Sequence, residues 1–339
     1  MKPRLDIRFS FWQQIHYLIG NAYEPVQGEY LLNHSRSAIL LALESLDLPK
    51  GSGVGVMVYN CHTVMNAVVQ AGFKPVFLDI TDELMLDLDD LRRKAASISA
   101  LIITHLFGIV NDVKNIRNEF SGLVIIEDCA HAYGIESLYG DFATFSVGQG
   151  KLPSIADGGI LHVLNEKYMS GVAKLYDSLS EYTTAQKTVL FVRLCITSIL
   201  YRSWLYGWFT LPIKNKKKVL SCKEIIRPIK MCKGISAIFA LEKDRVLMEI
   251  ANRILNAKKM ISVIDSIETN DYFWGHNAFM FVTICDNPVQ LQKRLHQIGI
   301  DSATHFAHSI DWAKEFGYMS GDCSNAEQLI KRLLLIPIY

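Results

Sequence analysis

A chain of 339 residues, half of them hydrophobic and a fifth charged, is long enough for more than one globular domain. Its net charge of +1 argues against a nucleic-acid binder, which carries a strongly basic domain. Seven cysteines without a C-x-x-C pair predict reduced thiols and a cytoplasmic setting, and residues 1–20 lack the apolar run of a secretory signal.

Residues 1–30 read as an N-terminal arm with aromatic anchors Phe9, Phe11 and Trp12. After His34-Ser35-Arg36-Ser37, the stretch AILLALESLDL is apolar at helical spacing, with Ser35 and Ser37 as its expected caps. GVGVMVY is a predicted strand, and Thr63 to Ala71 a helix that Gly72 ends. KPVFLDI, ALIITHLFG and LVIIED follow as strands, separated by helices over DELMLDLDDLRRKAAS and VKNIRNEFSG. Phe142 to Val147 and ILHVL add two more strands. This alternation predicts an α/β domain over residues 31–180, a mostly parallel sheet with helices on its faces.

Residues 181–232 form an apolar, aromatic connecting segment, with Trp204, Tyr206, Trp208 and Phe209 leading into Lys214-Asn215-Lys216-Lys217-Lys218. A long helical pattern from Ile235 to about Ile267 opens a smaller α+β domain over 233–339. Its tail holds a strand (AFMFVTI), a helix (PVQLQKRLHQIG) and a last helix ending LLLIPIY.

The chemistry concentrates between Ile125 and Lys151. Glu127 and Asp128 end a buried strand, where an open α/β sheet presents groups to a ligand crevice. Lys151 follows the next strand and a Gly148-Gln149-Gly150 turn, so acid and lysine meet across one site. A lysine that forms a Schiff base must lose its proton, which burial assists. The carboxylate suits a protonated pyridine nitrogen. Ser35, Arg36 and Ser37 at a helix start suit a phosphate monoester. Taken singly, each has an ordinary reading as a cap or a surface charge. Together they describe a site for pyridoxal 5'-phosphate (PLP).

From about residue 31 onward the chain resembles the DegT/DnrJ/EryC1/StrS sugar aminotransferases, of PLP fold type I. The resemblance is strongest in LLALESLDL, NAVVQAGFKPVFLDI, IITHLFG, IIEDCAHAYG, GDFATFSVGQGK and DGGILHV. It implies Lys151 as the cofactor's lysine, Asp128 as the partner of the ring nitrogen and Ser146 as a phosphate contact. Ser35 and Arg36 occupy places where the family usually has glycine and threonine. His131 stands where glutamine is the norm, near the cofactor's ring hydroxyl. Where an aromatic often covers the ring, the chain reads Tyr59-Asn60-Cys61-His62, which leaves His62 or Tyr59 for the stack.

The implied activity moves an amino group from an amino acid, glutamate by expectation, to a nucleotide-linked keto-sugar, in a homodimer. Known sugar dehydratases of the same fold have histidine in place of the lysine, so Lys151 favours transamination. A non-catalytic scaffold on this fold is the alternative from another class, and the presence of both Lys151 and Asp128 argues against it. Arg193 and Arg202 interrupt the apolar segment, so no spanning helix is expected there. Aromatic residues beside lysines leave peripheral membrane contact through 188–218 as a further expectation.

Overall fold

The computed structural model describes residues 10–202, 205, 222–265 and 271–338. In chain order its elements are α1 (Phe11–Ile19), β1 (Glu29–Leu32), α2 (Ser35–Glu44), β2 (Gly53–Met57), α3 (His62–Gln70), β3 (Lys74–Leu78) and α4 (Leu88–Lys94). Then come β4 (Ala100–Thr104), α5 (Val113–Glu119), β5 (Val124–Asp128), β6 (Phe142–Ser146), β7 (Gly159–Val163), α6 (Met169–Asp177) and α7 (Thr184–Leu200). The rest is α8 (Lys233–Glu242), α9 (Val246–Asp265), β8 (Asp271–Trp274), β9 (Met280–Ile284), α10 (Pro288–Gln297), α11 (Ser309–Glu315), α12 (Ser324–Leu329) and β10 (Leu333–Pro337).

The large sheet runs β1-β7-β6-β5-β4-β2-β3. Strands β3, β2, β4, β5 and β6 are mutually parallel, and β7 turns antiparallel to β6. Parallel strands are buried on both faces, which is why β4 is apolar along most of its length and buried throughout. Helix α2 is buried on nearly every side, from Ser35 to Leu43, and packs against β5, β6 and β7. A smaller antiparallel sheet, β10-β9-β8, covers its own core of Phe281, Leu334 and Ile336 with Ala257 from α9 and Leu291 from α10.

Several elements depart from the pattern in the sequence. The arm contains α1, started by a Ser10–Gln13 capping box, and β1, which pairs with β7. Phe11 and Trp12 are exposed rather than anchored, and Phe9 lies outside the described residues. The acidic segment is helical only from Leu88, because Asp87 accepts the Asp89 and Asp90 N–H groups and so fixes the helix start there. The long helix is two, α8 and α9, broken at residues 243–245. LLLIP is strand β10 instead of the end of a helix: its register on β9 buries all five residues. Trp204, Tyr206, Trp208, Phe209 and the 214–218 lysines fall outside the described residues.

Candidate active site

Asn60, His105, Asp128 and Val147 each lie within three residues of the C-terminal end of β2, β4, β5 or β6, so the sheet gathers them at one edge. Asp128 is buried there. Its Oδ1 accepts the Ala130 N–H at 3.1 Å and its Oδ2 accepts the Thr104 hydroxyl at 3.2 Å. Thr104 in turn accepts the Asn60 amide at 2.8 Å, so a three-member chain aims the carboxylate. Burial raises the Asp128 pKa, against the opposing pull of the Ala130 N–H and the Lys151 charge. Glu127, the neighbouring acid, serves the fold instead. Its Oε1 accepts the Tyr139 and Gly140 N–H groups, each at 2.6 Å, and its Oε2 lies 3.0 Å from His105 Nε2. Because His105 Nδ1 accepts the Asn111 N–H at 3.1 Å, the proton sits on Nε2 and is donated to Glu127.

Lys151 leaves the glycine turn with its own N–H bonded to the Gly148 carbonyl at 3.1 Å. The Gly150 N–H donates to Ser154 Oγ at 3.0 Å, and Gly150 adopts φ 76, a conformation that glycine takes without strain. Lys151 Nζ stands 5.8 Å from the centre of the Phe279 ring. Burial pulls the lysine pKa down, while negative charge at Cys61 and Asp128 resists. The amine is therefore nearer to neutrality than a surface lysine.

Asp128 and Lys151 line one cavity of about 490 Å3 together with Ser35, Arg36, His62, His131 and Ser146. Ser37 and Tyr59 do not line it. Both are fully buried, and Tyr59 spends its hydroxyl on the His305 carbonyl at 2.7 Å, so His62 is the one ring of the Tyr59–His62 stretch at the cavity wall. Neither Ser35 nor Ser37 caps α2. His34 is the N-cap and makes no side-chain cap bond; its ring is 2.6 Å from Asp157 instead. The helix therefore begins one residue earlier than capping by Ser35 would give.

That shift leaves polar groups unspent at the start of α2. Among the described residues, Ser35 Oγ is buried without a hydrogen-bond partner, as is His62 Nδ1 at the same cavity. A glycine at 159 is needed for this geometry, since a Cβ there would overlap the His34 backbone and the Ser35 nitrogen. An orphaned hydroxyl, a guanidinium and a helix N-terminus fit a phosphate group.

His131 stacks between Phe107 and Phe279, both rings 15° from parallel, at 5.2 and 4.7 Å. Its Nδ1 accepts the Phe107 N–H at 3.3 Å, which leaves the proton on Nε2 as a donor. Burial and the charge of Lys151 push its pKa well down, so the ring is neutral. Phe107 holds φ 53, a left-handed backbone uncommon for phenylalanine, and this aims its N–H at the imidazole.

Sequence reasoning missed Asn60, Thr104, Asp157, Glu224, His305 and Phe306 at this cavity. Thr104, at the end of a predicted strand, offered the same strand-end signal that exposed Asp128. Asn60 adjoins Cys61 and His62 in the stretch already singled out, and Asp157, Glu224, His305 and Phe306 come from other segments of the chain.

A second cavity of about 740 Å3 opens on the other side of Lys151. Gly150, Phe279, Arg202, Arg245 and Arg253 line it, with Ser10 and Gln14 from the arm. Lys151 is thus shared by two spaces, one lined by Ser35, Arg36 and Ser146 and one by Arg202, Arg245 and Arg253. Among the described residues no group of His, Cys, Asp and Glu could hold a metal ion.

Residues 31–188 match the family model of the DegT/DnrJ/EryC1/StrS aminotransferases. GDP-perosamine synthase of Vibrio cholerae is 31% identical over 134 residues, 37% of this chain and 36% of that protein. L-glutamine:2-deoxy-scyllo-inosose aminotransferase of Streptomyces kanamyceticus is 31% identical over 133 residues, 36% of this chain and 31% of that protein. The matched stretch thus spans about a third of these relatives. Among solved structures, AtS13 of Actinomadura melliaura superposes with a TM-score of 0.74 at 14% identity, covering 100% of this chain and 94% of that one. Helicobacter pylori PseC, an aminotransferase involved in the biosynthesis of pseudoaminic acid, gives 0.74 at 13% identity, covering 99% and 93%. The chain has the fold of these proteins, PLP fold type I.

Proposed function

We propose that the protein, whose residues 31–188 match the family model of the DegT/DnrJ/EryC1/StrS aminotransferases, is a PLP-dependent aminotransferase. It moves an amino group from glutamate to a nucleotide-linked keto-sugar. The observation that carries the proposal is one cavity in which a lysine of lowered pKa, a buried carboxylate and an unspent phosphate cradle face one another.

When bound, PLP supplies a carbonyl that exchanges amines and a ring that withdraws electrons from the reacting carbon. Ser35, Arg36 and Ser146 hold its phosphate. Asp128, fixed by Thr104 and Asn60, keeps a proton on the pyridine nitrogen. His131 would offer its Nε2 proton to the ring oxygen, and His62 lines the same cavity. Lys151 Nζ would be the base that removes the donor's α-proton. Its position between the two cavities lets it serve a substrate held in the larger one. There Arg202 and Arg245 suit the negative charge of a diphosphate.

A homodimer is the assembly we propose. Helix α7 exposes Val189, Val192, Ile196 and Ile199 at 68, 48, 53 and 52%, a stripe at helical spacing that no described residue covers and that a second copy would cover. No helix among the described residues is long and apolar enough to cross a membrane. Peripheral membrane contact is the rival cover for this stripe. Sedimentation with and without anionic vesicles distinguishes the two: a dimer that ignores vesicles is expected, and a vesicle-bound monomer overturns it.

Lys151→Ala tests the central assignment. The variant should lose the visible absorbance that the wild type acquires with PLP, and turnover should fall by at least about a hundredfold. Wild-type turnover in that variant would refute it.

A further inference from the structure

Asp128 is flanked in the sheet by two threonines. The register sets Thr104 of β4 beside it on one side and Thr144 of β6 on the other. Residues in register on neighbouring strands project to the same face, and such strands lie about 4.8 Å apart. That spacing lets a threonine hydroxyl reach a carboxylate: Thr104 donates to Asp128 Oδ2 at 3.2 Å across the β4–β5 pair. Thr144 holds the equivalent place across the β5–β6 pair.

The second threonine leaves its hydroxyl unspent. Thr144 is fully buried, and among the described residues its Oγ1 has no hydrogen-bond partner. Its backbone is engaged, since the carbonyl accepts the Cys129 N–H at 2.8 Å. Thr144 lines neither cavity, so its hydroxyl acts through a neighbour and not on a ligand directly. On β7 the register pairs it with Leu161, whose side chain accepts nothing. Asp128, on β5, has acceptor capacity to spare. An ionised carboxylate accepts about four hydrogen bonds, and Asp128 takes one from the Ala130 N–H and one from Thr104. Burying a hydroxyl unpaired costs stability that a valine in the same strand position would not cost, so packing alone gives the hydroxyl no purpose.

We propose that Thr144 is a second positioning residue for Asp128, one that engages when a protonated ring nitrogen meets the carboxylate. The inference rests on the aminotransferase reading, because it needs a pyridinium opposite Asp128. As the carboxylate turns to take the ring N–H, the Thr144 hydroxyl donates to it from the β6 side while Thr104 donates from the β4 side. Bonds from both flanks fix the plane of the carboxylate. They also favour its charged form, which in turn keeps the proton on the ring. The hydroxyl left unpaired in the cofactor-free chain is thus the one the loaded site uses.

Thr144→Val tests the proposal, since it removes the hydroxyl and keeps a branched strand residue. Equilibrium dialysis of the full-length protein is run against PLP and against its carbocyclic analogue, in which C–H replaces the ring nitrogen. Thr144→Val should weaken PLP binding by about tenfold, the loss of one hydrogen bond to a charged group, and leave the analogue within about twofold of wild type. Thr144→Ser, which keeps a hydroxyl, should restore PLP binding. Without cofactor, Thr144→Val should melt no lower than wild type, because no bond is lost. Equal PLP affinity in wild type and Thr144→Val overturns the proposal. An equal loss for PLP and the analogue does so too, since it marks a general distortion of the site. A lower melting temperature for the cofactor-free variant shows the hydroxyl already bonded, and this also overturns the proposal. Failure of the wild type to bind PLP counts against the aminotransferase reading itself, and the role of Thr144 falls with it.

Discussion

At the scale of single residues, Asp128 carries a conflict between stability and chemistry. Burial raises its folded pKa above the unfolded value. Its contribution to stability is therefore complete below the unfolded pKa of about 3.9 and is lost as the pH rises through the folded pKa. Asp128→Asn should raise the melting temperature of the cofactor-free protein at neutral pH, and the gain should vanish in acid, where the carboxyl is protonated in both states. The same change should lower turnover by about a hundredfold or more, because the ring nitrogen loses its counter-charge. Melting curves at two pH values check the first claim; an unchanged or lower neutral melting temperature contradicts it. His131 makes a second prediction. His131→Phe keeps the stack on Phe107 and Phe279 but removes the Nε2 donor, and should cost about 1.5–3 kcal/mol of cofactor affinity. His131→Gln, which restores a donor, should recover part of that loss in a cofactor titration. Asp128 and Lys151 stood out in the sequence because both follow strand ends within one short stretch. Thr104 shares that strand-end position, but the bonds that tie it to Asp128 and Asn60 span 24 and 44 positions and leave no mark in the sequence.

At the scale of elements, the site depends on how the small sheet touches the large one. The turn between β8 and β9 meets the segment after β4: the His276 N–H donates to the Gly108 carbonyl at 2.9 Å, and the Asn277 amide donates to the His131 carbonyl at 2.9 Å. A Cβ at position 275 would overlap the Gly108 backbone. Gly275→Ala should therefore force the turn outward, cost about 1–3 kcal/mol in a denaturant titration and loosen Phe279 from His131. An unaltered midpoint would show that the turn yields freely. This contact was invisible in the sequence, since nothing in YFWGHNAF reports its partner. The misread end of the chain has a different cause. LLLIP is a continuous apolar run, and such a run does not distinguish a buried strand from a buried helix until its pairing on β9 is known. The parallel strands β2 to β6 were legible because turns and amphipathic helices punctuate them.

At the scale of the whole molecule, the proposed cofactor cavity joins segments from residue 35 to residue 306, so its occupation should stabilise the fold as a unit. At a free PLP concentration about a hundred times its dissociation constant, the gain should be about 2.7 kcal/mol, visible as a rise in melting temperature that Lys151→Ala reduces. The two-cavity arrangement around Lys151 makes the account testable at one atom. The most direct measurement is to incubate the purified protein with PLP, record the visible spectrum, reduce with borohydride and map the modified peptide. The account predicts an absorbance band that glutamate bleaches and, after reduction, cofactor attached at Lys151. Attachment at another lysine, or no band at all, would contradict it.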